Sequence, residues 1–330
     1  MKNKQIIFTE KNTAALLEVP YKSPEYGEVV VETEYSTVSC GTEKANIIGI
    51  VGDFPIKYLG YSSSGTVVAK GDGVNDIEVG DKVVVYWGTH SKYNTVPQNK
   101  VVKIDDGINM QEAAMSFIAT FSLAAIRKTR LEIGESAIVV GLGLLGQLAV
   151  KLLRAAGAYP IIAIDPIAER RTEALENGAD YAFDTNEENM VKKIKSLTNG
   201  GANVAIEVTG VGQGLDTALD CMARFGRIAL LGCTRDKNFI IDYYRKVHVP
   251  GITLIGAHTM ARPDFESHPG YFTHRDDIKC VFKLIRGKRL DLLSLIKKKY
   301  SPEDCYGVYT RLVNDKSFPI TVQFDWSLLK

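Results

Sequence analysis

A chain of 330 residues, 45% hydrophobic and 24% charged, has the length for two domains and the composition of ordinary water-soluble cores. Forty basic and 39 acidic residues leave a formal net charge of +1, so nothing in the charge balance points to nucleic acid or to an anionic membrane surface as a partner. No run of residues is apolar enough to span a bilayer, and residues 1–4 lead into a strand pattern, not a signal sequence; the expected location is the cytoplasm. The five cysteines are odd in number, scattered and without a C-x-x-C pair, which fits reduced thiols. Cys221, Cys233, Cys280 and Cys305 sit in apolar or helical patterns and read as small core residues, whereas Cys40 does not.

In chain order, short β-rich runs come first, at residues 28–35, 65–69, 81–86 and 100–104. Turn residues such as Gly71-Asp72-Gly73 and Val79-Gly80-Asp81 separate them, the pattern of a compact β-barrel or sandwich. From Gln111 to Arg130 the periodicity becomes helical, with Ala113, Ala114, Phe117, Phe121 and Ala124 on the apolar face.

Residues 138–146, IVVGLGLLG, read as a buried strand, a glycine turn and a helix start, the opening of a dinucleotide-binding unit. Gly141 permits the tight turn, Gly143 lets backbone approach a pyrophosphate, and Gly146 lets the helix pack on the strand; the helix N-terminus at Leu144 and Leu145 then faces the phosphates. A second apolar strand, 161–164, ends in Asp165, at the distance expected for the acid that binds the adenosine ribose. A carboxylate there accepts from two ribose hydroxyls and repels a 2′-phosphate, which favours NAD. From 135 to 257 the chain reads as six βα steps, with strands at 136–140, 161–165, 181–183, 203–207, 226–232 and 251–256. The fold class is therefore α/β, with an open six-stranded parallel sheet that binds its ligand outside the carboxyl ends of the strands. Val208, Thr209, Leu231, Gly232 and Cys233 follow two of those ends and are expected to line the cofactor crevice.

Residues 258–274 hold three histidines, His258, His268 and His274, but their spacing lacks the i, i+4 logic of a helical zinc site; a surface loop or substrate lid is expected. A helix pattern around 277–285 follows, then an apolar stretch at 290–296, a solvated helix end at Lys297-Lys298-Lys299, a helix over 302–313 and a last strand at 320–324.

Three further stretches, Ser39-Cys40-Gly41-Thr42-Glu43, Gly60-Tyr61-Ser62-Ser63-Ser64-Gly65 and Val79-Gly80-Asp81-Lys82-Val83, together with the glycine motif and this order of elements, resemble the medium-chain dehydrogenase/reductase superfamily, in its alcohol and polyol dehydrogenase branch. The resemblance covers essentially the whole chain. It implies a GroES-like catalytic domain whose first segment is 1–112, a Rossmann NAD-binding domain with its connecting helix at 113–257, and a return segment of the catalytic domain at 258–330. The family's zinc-using members hold the metal with Cys, His and a third Cys or Glu. Cys40 matches the first ligand, but Tyr61 and Ser62 stand where His and Glu are expected, and residues 115–118 supply no third ligand. The structural zinc's four cysteines are missing as well, since no Cys lies between Cys40 and Cys221. No metal is therefore expected.

Without zinc, a hydrogen-bond relay must manage the proton on the substrate oxygen. The resemblance places Thr42 at the position that passes this proton on, Tyr61 in the space of the ligand His, and Glu43 at a supporting acid free to pair with Lys44 or His90. His90 is the side chain expected to titrate near neutral pH. Cys40 is left as a packing residue beside the active site, or with a proton-transfer or substrate-contact role. Thr42 and Glu43 read equally well as caps of a helix beginning near Lys44, and Tyr61 as a packing residue. Arg170 matches a family position whose cation reaches the adenosine ribose, and the family's dimers imply a homodimer through the last Rossmann strand at 252–256. The expected activity is NAD(H)-dependent hydride transfer to or from a secondary alcohol or ketone of a sugar, polyol or cyclitol-like small molecule. The alternatives are a zinc-free quinone or enone reductase, or a non-catalytic cofactor-binding protein.

Overall fold

The computed structural model describes residues 2–234 and 238–329. The chain divides into two compact units, residues 1–118 with 278–330, and residues 119–277.

The first unit opens with an antiparallel hairpin, β1 (Lys2–Glu10) and β2 (Thr13–Pro20), followed by β3 (Glu28–Thr37), helix α1 (Cys40–Ile47), β4 (Ser62–Lys70), β5 (Lys82–Tyr86), β6 (Tyr93–Pro97) and β7 (Val101–Lys103). β3 pairs with three partners. Its first half lies against β6, its last residues against a strand near the C-terminus, and β4 runs along its other edge. One strand shared in this way bends the sheet round a valine-rich core of Val29, Val31, Val67, Val83, Val85, Val96 and Val101, the barrel-like layer that the β-branched runs foreshadow. Helix α2 (Met110–Lys128) then leads into the second unit.

The second unit alternates β8 (Ala137–Val140), α3 (Leu144–Ala156), β9 (Ile161–Ile164), α4 (Ala168–Glu176), β10 (Tyr181–Phe183), α5 (Met190–Leu197), β11 (Ala202–Glu207), α6 (Gly212–Cys221), β12 (Met222–Leu230) and β13 (Thr253–Gly256). All six strands are parallel, in the order β10-β9-β8-β11-β12-β13. This is the doubly wound order 3-2-1-4-5-6, whose switch point lies between β8 and β11. Strands β8 and β9 are buried along their whole length, as expected for a parallel sheet with helices on both faces. Among the described residues no helix is long and apolar enough to cross a membrane.

After helix α7 (His274–Arg286) the chain returns to the first unit with β14 (Lys299–Tyr300), α8 (Cys305–Asn314) and β15 (Gln323–Asp325). Several local expectations are corrected here. Lys299 opens β14, so the lysine run does not end a helix. The helix expected over 302–313 opens as a 3-10 turn, Pro302–Asp304, and runs on directly as α8, a tight first turn of the kind common at helix N-termini. The last strand begins at Gln323, because residues 320–322 are held by bonds such as Val38 N–H to the Val322 carbonyl instead of by a paired strand. Helix α1 begins at Cys40, not near Lys44. Cys221 and Cys305 are core residues, but Cys233 is exposed, since it lies beyond the end of β12 and outside the buried sheet.

Candidate active site

The glycine turn of the second unit is set by backbone geometry. Gly141 has φ +92°, in the left-handed region, and a Cβ there would stand 2.8 Å from the Thr209 methyl group. At Gly146 a Cβ would lie 2.0 Å from the Gly141 carbonyl oxygen, so α3 meets the turn only because this residue has no side chain. A Cβ at Gly143 would meet nothing within 4 Å. Gly143 is the N-cap of α3 and makes no side-chain cap, so the first-turn N–H groups, including those of Leu144 and Leu145, open onto that space at the positive end of a 13-residue helix.

Asp165 follows β9 and is 3% exposed. Its Oδ2 accepts from Leu142 N–H at 2.8 Å and its Oδ1 from Ile167 N–H at 2.8 Å, so the acid is bolted to the glycine turn itself. Each carboxylate oxygen retains a second lone pair. Arg170 Nη1 lies 3.8 Å from Oδ2. Beyond β11, the buried Glu207 carboxylate accepts from Thr209 N–H at 2.8 Å, from the Thr209 hydroxyl and from Gly210 N–H. Burial raises the Glu207 pKa above the usual carboxylate value against these opposing bonds. A Cβ on Gly232 would lie 2.3 Å from Gly210 N, so the ends of β11 and β12 approach backbone to backbone, which places Val208, Thr209, Leu231, Gly232 and Cys233 side by side. Thr209 and Cys233 are exposed, Val208 and Gly232 half-buried, and Leu231 buried.

In the first unit, α1 carries Cys40, Thr42 and Glu43 in its first turns, with Ser39 as the N-cap. The Glu43 carboxylate is 1% exposed and gathers distant parts of the chain. Its Oε1 accepts from Ser39 N–H at 2.9 Å; its Oε2 lies 2.5 Å from the Tyr309 hydroxyl, which donates to it, and 3.3 Å from His90 Nε2. His90 is fully buried; its Nδ1 lies 2.7 Å from Ser36 Oγ, which accepts from Trp326 Nε1–H at 2.9 Å. His90 thus links Ser36 and Trp326 on one side of its ring to Glu43 on the other. Burial first, and then the Glu43 carboxylate, hold the Tyr309 phenol well above its ordinary pKa. Gly60 admits the imidazole, since a Cβ there would lie 2.2 Å from His90 Cγ. Tyr61 is half-buried against Trp87 and Phe117, and its hydroxyl donates to Ser39 Oγ at 2.5 Å. Thr42 and Cys40, in the first turns of α1, are half-buried, while Lys44 donates to the Val313 carbonyl.

Cys40, Thr42, Glu43, Tyr61 and His90 thus share one neighbourhood, in which His90 meets Glu43 and not solvent. Sequence reading missed Ser39, Ser36, Tyr309 and Trp326. Ser39 and Glu43 carry a local signal, a serine followed closely by an acid at a helix start. Tyr309 and Trp326 carry none, because they arrive from the other end of the chain.

The donors near Cys40 are engaged elsewhere in the fold. Cys40 Sγ faces the Pro319 and Val38 carbonyls at 3.7 and 3.9 Å, the Tyr61 phenol is turned to Ser39, and Glu43 is enclosed by its own partners. Among the described residues no three His, Cys, Asp or Glu side chains are grouped to hold a metal ion. The loop histidines stay apart: His268 is tied to Tyr271 through backbone bonds, His258 Nδ1 accepts from Met260 N–H, and His274 starts α7. That loop is held by charge instead. Asp277 takes Arg127 at 2.9 Å and Arg262 at 3.1 Å, and Lys128 donates to the Gly256 and Ala261 carbonyls at 3.0 and 2.5 Å.

Two expectations follow for stability. Tyr309→Phe leaves the buried Glu43 oxygen one donor short and lowers unfolding free energy by about 1–3 kcal/mol in urea titrations; no change would mean the carboxylate is satisfied without the phenol. Gly146→Ala drives a methyl group into the Gly141 carbonyl and costs about 3 kcal/mol, read as a lowered Tm.

Comparison with known proteins agrees with this architecture. The family described as "Alcohol dehydrogenase GroES-like domain" matches residues 25–106, and the one described as "Zinc-binding dehydrogenase" matches residues 145–268. The (R,R)-butanediol dehydrogenase of Bacillus subtilis (strain 168) is 31% identical over 272 residues, covering 74% of each chain. The L-threonine 3-dehydrogenase of Pyrococcus horikoshii is 28% identical over 332 residues, 89% of this chain and 90% of that one. The D-guloside 3-dehydrogenase of Escherichia coli (strain K12) is 29% identical over 232 residues, of which this chain spans 66% of the relative's length. The crystal structure of the 2R,3R-butanediol dehydrogenase from Bacillus subtilis superposes with a TM-score of 0.83 at 24% identity, over 98% of this chain and 99% of that one. The chain belongs to the medium-chain dehydrogenase/reductase superfamily and is an alcohol dehydrogenase-like oxidoreductase.

Proposed function

We propose that this protein transfers a hydride between NAD(H) and a secondary alcohol or ketone of a sugar, polyol or cyclitol-like small molecule, without catalytic zinc. The observation that carries the cofactor assignment is the pairing of an open Gly143 at the start of α3 with the Asp165 carboxylate fixed to the same turn. Relatives named for guloside, threonine, butanediol and sorbitol support a hydroxylated substrate. When bound, the nicotinamide supplies the hydride acceptor or donor. The first-turn N–H groups at Gly143, Leu144, Leu145 and Gly146 hold the pyrophosphate, and Gly141 shapes the turn that presents them. Asp165 accepts from the ribose hydroxyls on its remaining lone pairs, and Arg170 braces it. Val208, Thr209, Leu231, Gly232 and Cys233 form the wall of the crevice.

On the substrate side, Thr42 and Tyr61 handle the proton of the carbinol oxygen and Cys40 is a contact beside it. Glu43 and His90 are positioning residues, fixing α1 from below. In solution we expect a cytoplasmic homodimer paired through β13. The domain organisation we propose is the family's inserted one, a catalytic domain of residues 1–112 and 258–330 around an NAD-binding domain of 113–257.

Gly143→Ala, whose methyl group meets no protein atom within 4 Å, is expected to keep wild-type stability and lose at least about tenfold in NADH affinity by fluorescence titration. Equal affinity would remove the phosphates from this turn. Asp165→Ser is expected to lower the ratio of NADH to NADPH affinity at least about tenfold, since it removes the charge that opposes a 2′-phosphate; an unchanged ratio would mean another residue selects the cofactor. Metal analysis of protein prepared without chelators is expected to find far less than one zinc per chain, and a full equivalent would return the mechanism to Lewis-acid catalysis.

A further inference from the structure

Ser39 occupies the N-cap of α1, a position where serine ordinarily turns its oxygen onto the backbone N–H groups of the first helical turn. Here its side chain makes no such bond. The Glu43 carboxylate instead accepts the N–H of Ser39, and the serine hydroxyl accepts the Tyr61 phenol at 2.5 Å. A helix that leaves its own capping hydroxyl to a tyrosine has that hydroxyl available for another task. Ser39 lies one residue before Cys40 and is 9% exposed, and Gly41 in the first turn of the helix is exposed.

We propose that Ser39 is the second member of the proton relay, taking the Tyr61 proton in alcohol oxidation and returning it in ketone reduction; this rests on the oxidoreductase reading given above. Because the phenol already donates to Ser39, its oxygen meets the substrate as an acceptor. In oxidation the carbinol O–H proton moves to Tyr61 Oη; a bound nicotinamide would supply the acceptor for the hydride that leaves the carbinol carbon. The Tyr61 proton moves to Ser39 Oγ, and the serine proton leaves to water at the open end of α1. Reduction runs the same steps backwards, so protons and charge balance in both directions. The buried Glu43, clamped by His90 and Tyr309, holds Ser39 by its backbone and keeps the hydroxyl turned to the phenol.

The test uses Ser39→Ala, Ser39→Thr, Tyr61→Phe and the double variant, assayed with NAD on 2,3-butanediol, sorbitol and L-threonine. Ser39→Ala and Tyr61→Phe are each expected to lower kcat about 10–100-fold with KM within about threefold, the double variant to be no slower than Tyr61→Phe, and Ser39→Thr to restore turnover. In the protein without cofactor, labelled with [13Cζ]tyrosine, the resonance lost in Tyr61→Phe is expected to move in Ser39→Ala and to return in Ser39→Thr. Wild-type turnover with an unimpaired Ser39→Ala, or a Tyr61 resonance unmoved in that variant, overturns the relay alone. No turnover of any of the three by the wild type overturns the polyol reading, and the relay with it.

Discussion

A carboxylate shut away from water must be hydrogen-bonded on both oxygens, and the catalytic unit is assembled round one such group. Glu43 is 1% exposed, and its partners come from the loop before α1, from the turn after β5 and from α8. Ser36 and Trp326 extend the same network to β3 and to the turn after β15. Segments more than 260 residues apart in the chain are thereby fixed at one point, since Tyr309 lies 266 positions from Glu43. The arrangement explains why Gly60 has no side chain and why His90 is enclosed: the imidazole supplies a donor that no solvent can supply at that depth.

The same device recurs in the nucleotide-binding unit. Asp165, Glu207 and Asp277 are all buried carboxylates, each holding a loop that no regular ladder holds. Asp165 ties the strand end to the glycine turn, Glu207 folds the Thr209-Gly210 corner onto itself, and Asp277 anchors the segment after β13 through two arginines. Burial raises the pKa of Glu207 and of Asp277 while their partners oppose the shift. A site built from strand-end loops needs such anchors, because backbone groups outside sheet and helix find few partners of their own.

Catalysis by hydride transfer places two different demands on this frame. The cofactor needs backbone access and a fixed acid, the parts we propose for the glycine turn and for Asp165, which Leu142 N–H ties to that turn. The substrate oxygen needs a proton path, and in the mechanism we propose it starts at the Tyr61 hydroxyl, which donates to Ser39 Oγ. The buried network beneath holds Ser39 by its backbone N–H, so the position of that hydroxyl depends on the satisfaction of Glu43.

The nucleotide-binding half was legible in the sequence because its signals are local. Three glycines at fixed spacing, an apolar strand and a terminal acid all act within about 30 residues, and strands alternating with helices imply a parallel sheet, whose strand order the fold then supplies. The valine-rich strands of the first unit were legible for the same reason, as β-branched runs broken by glycine turns. What the sequence left open was where side chains meet across long separations. Whether Glu43 pairs with Lys44 or His90, whether Cys233 is core or surface, and where the last strand begins were decided by tertiary packing. Ser39 shows the limit most clearly: as a helix cap its role is set by its neighbours in sequence, but only the approach of Tyr61, brought in at the start of β4, turned its hydroxyl away from the helix. Local spacing determines which backbone conformations are possible, and desolvation of polar groups in the folded core determines which partners they must take.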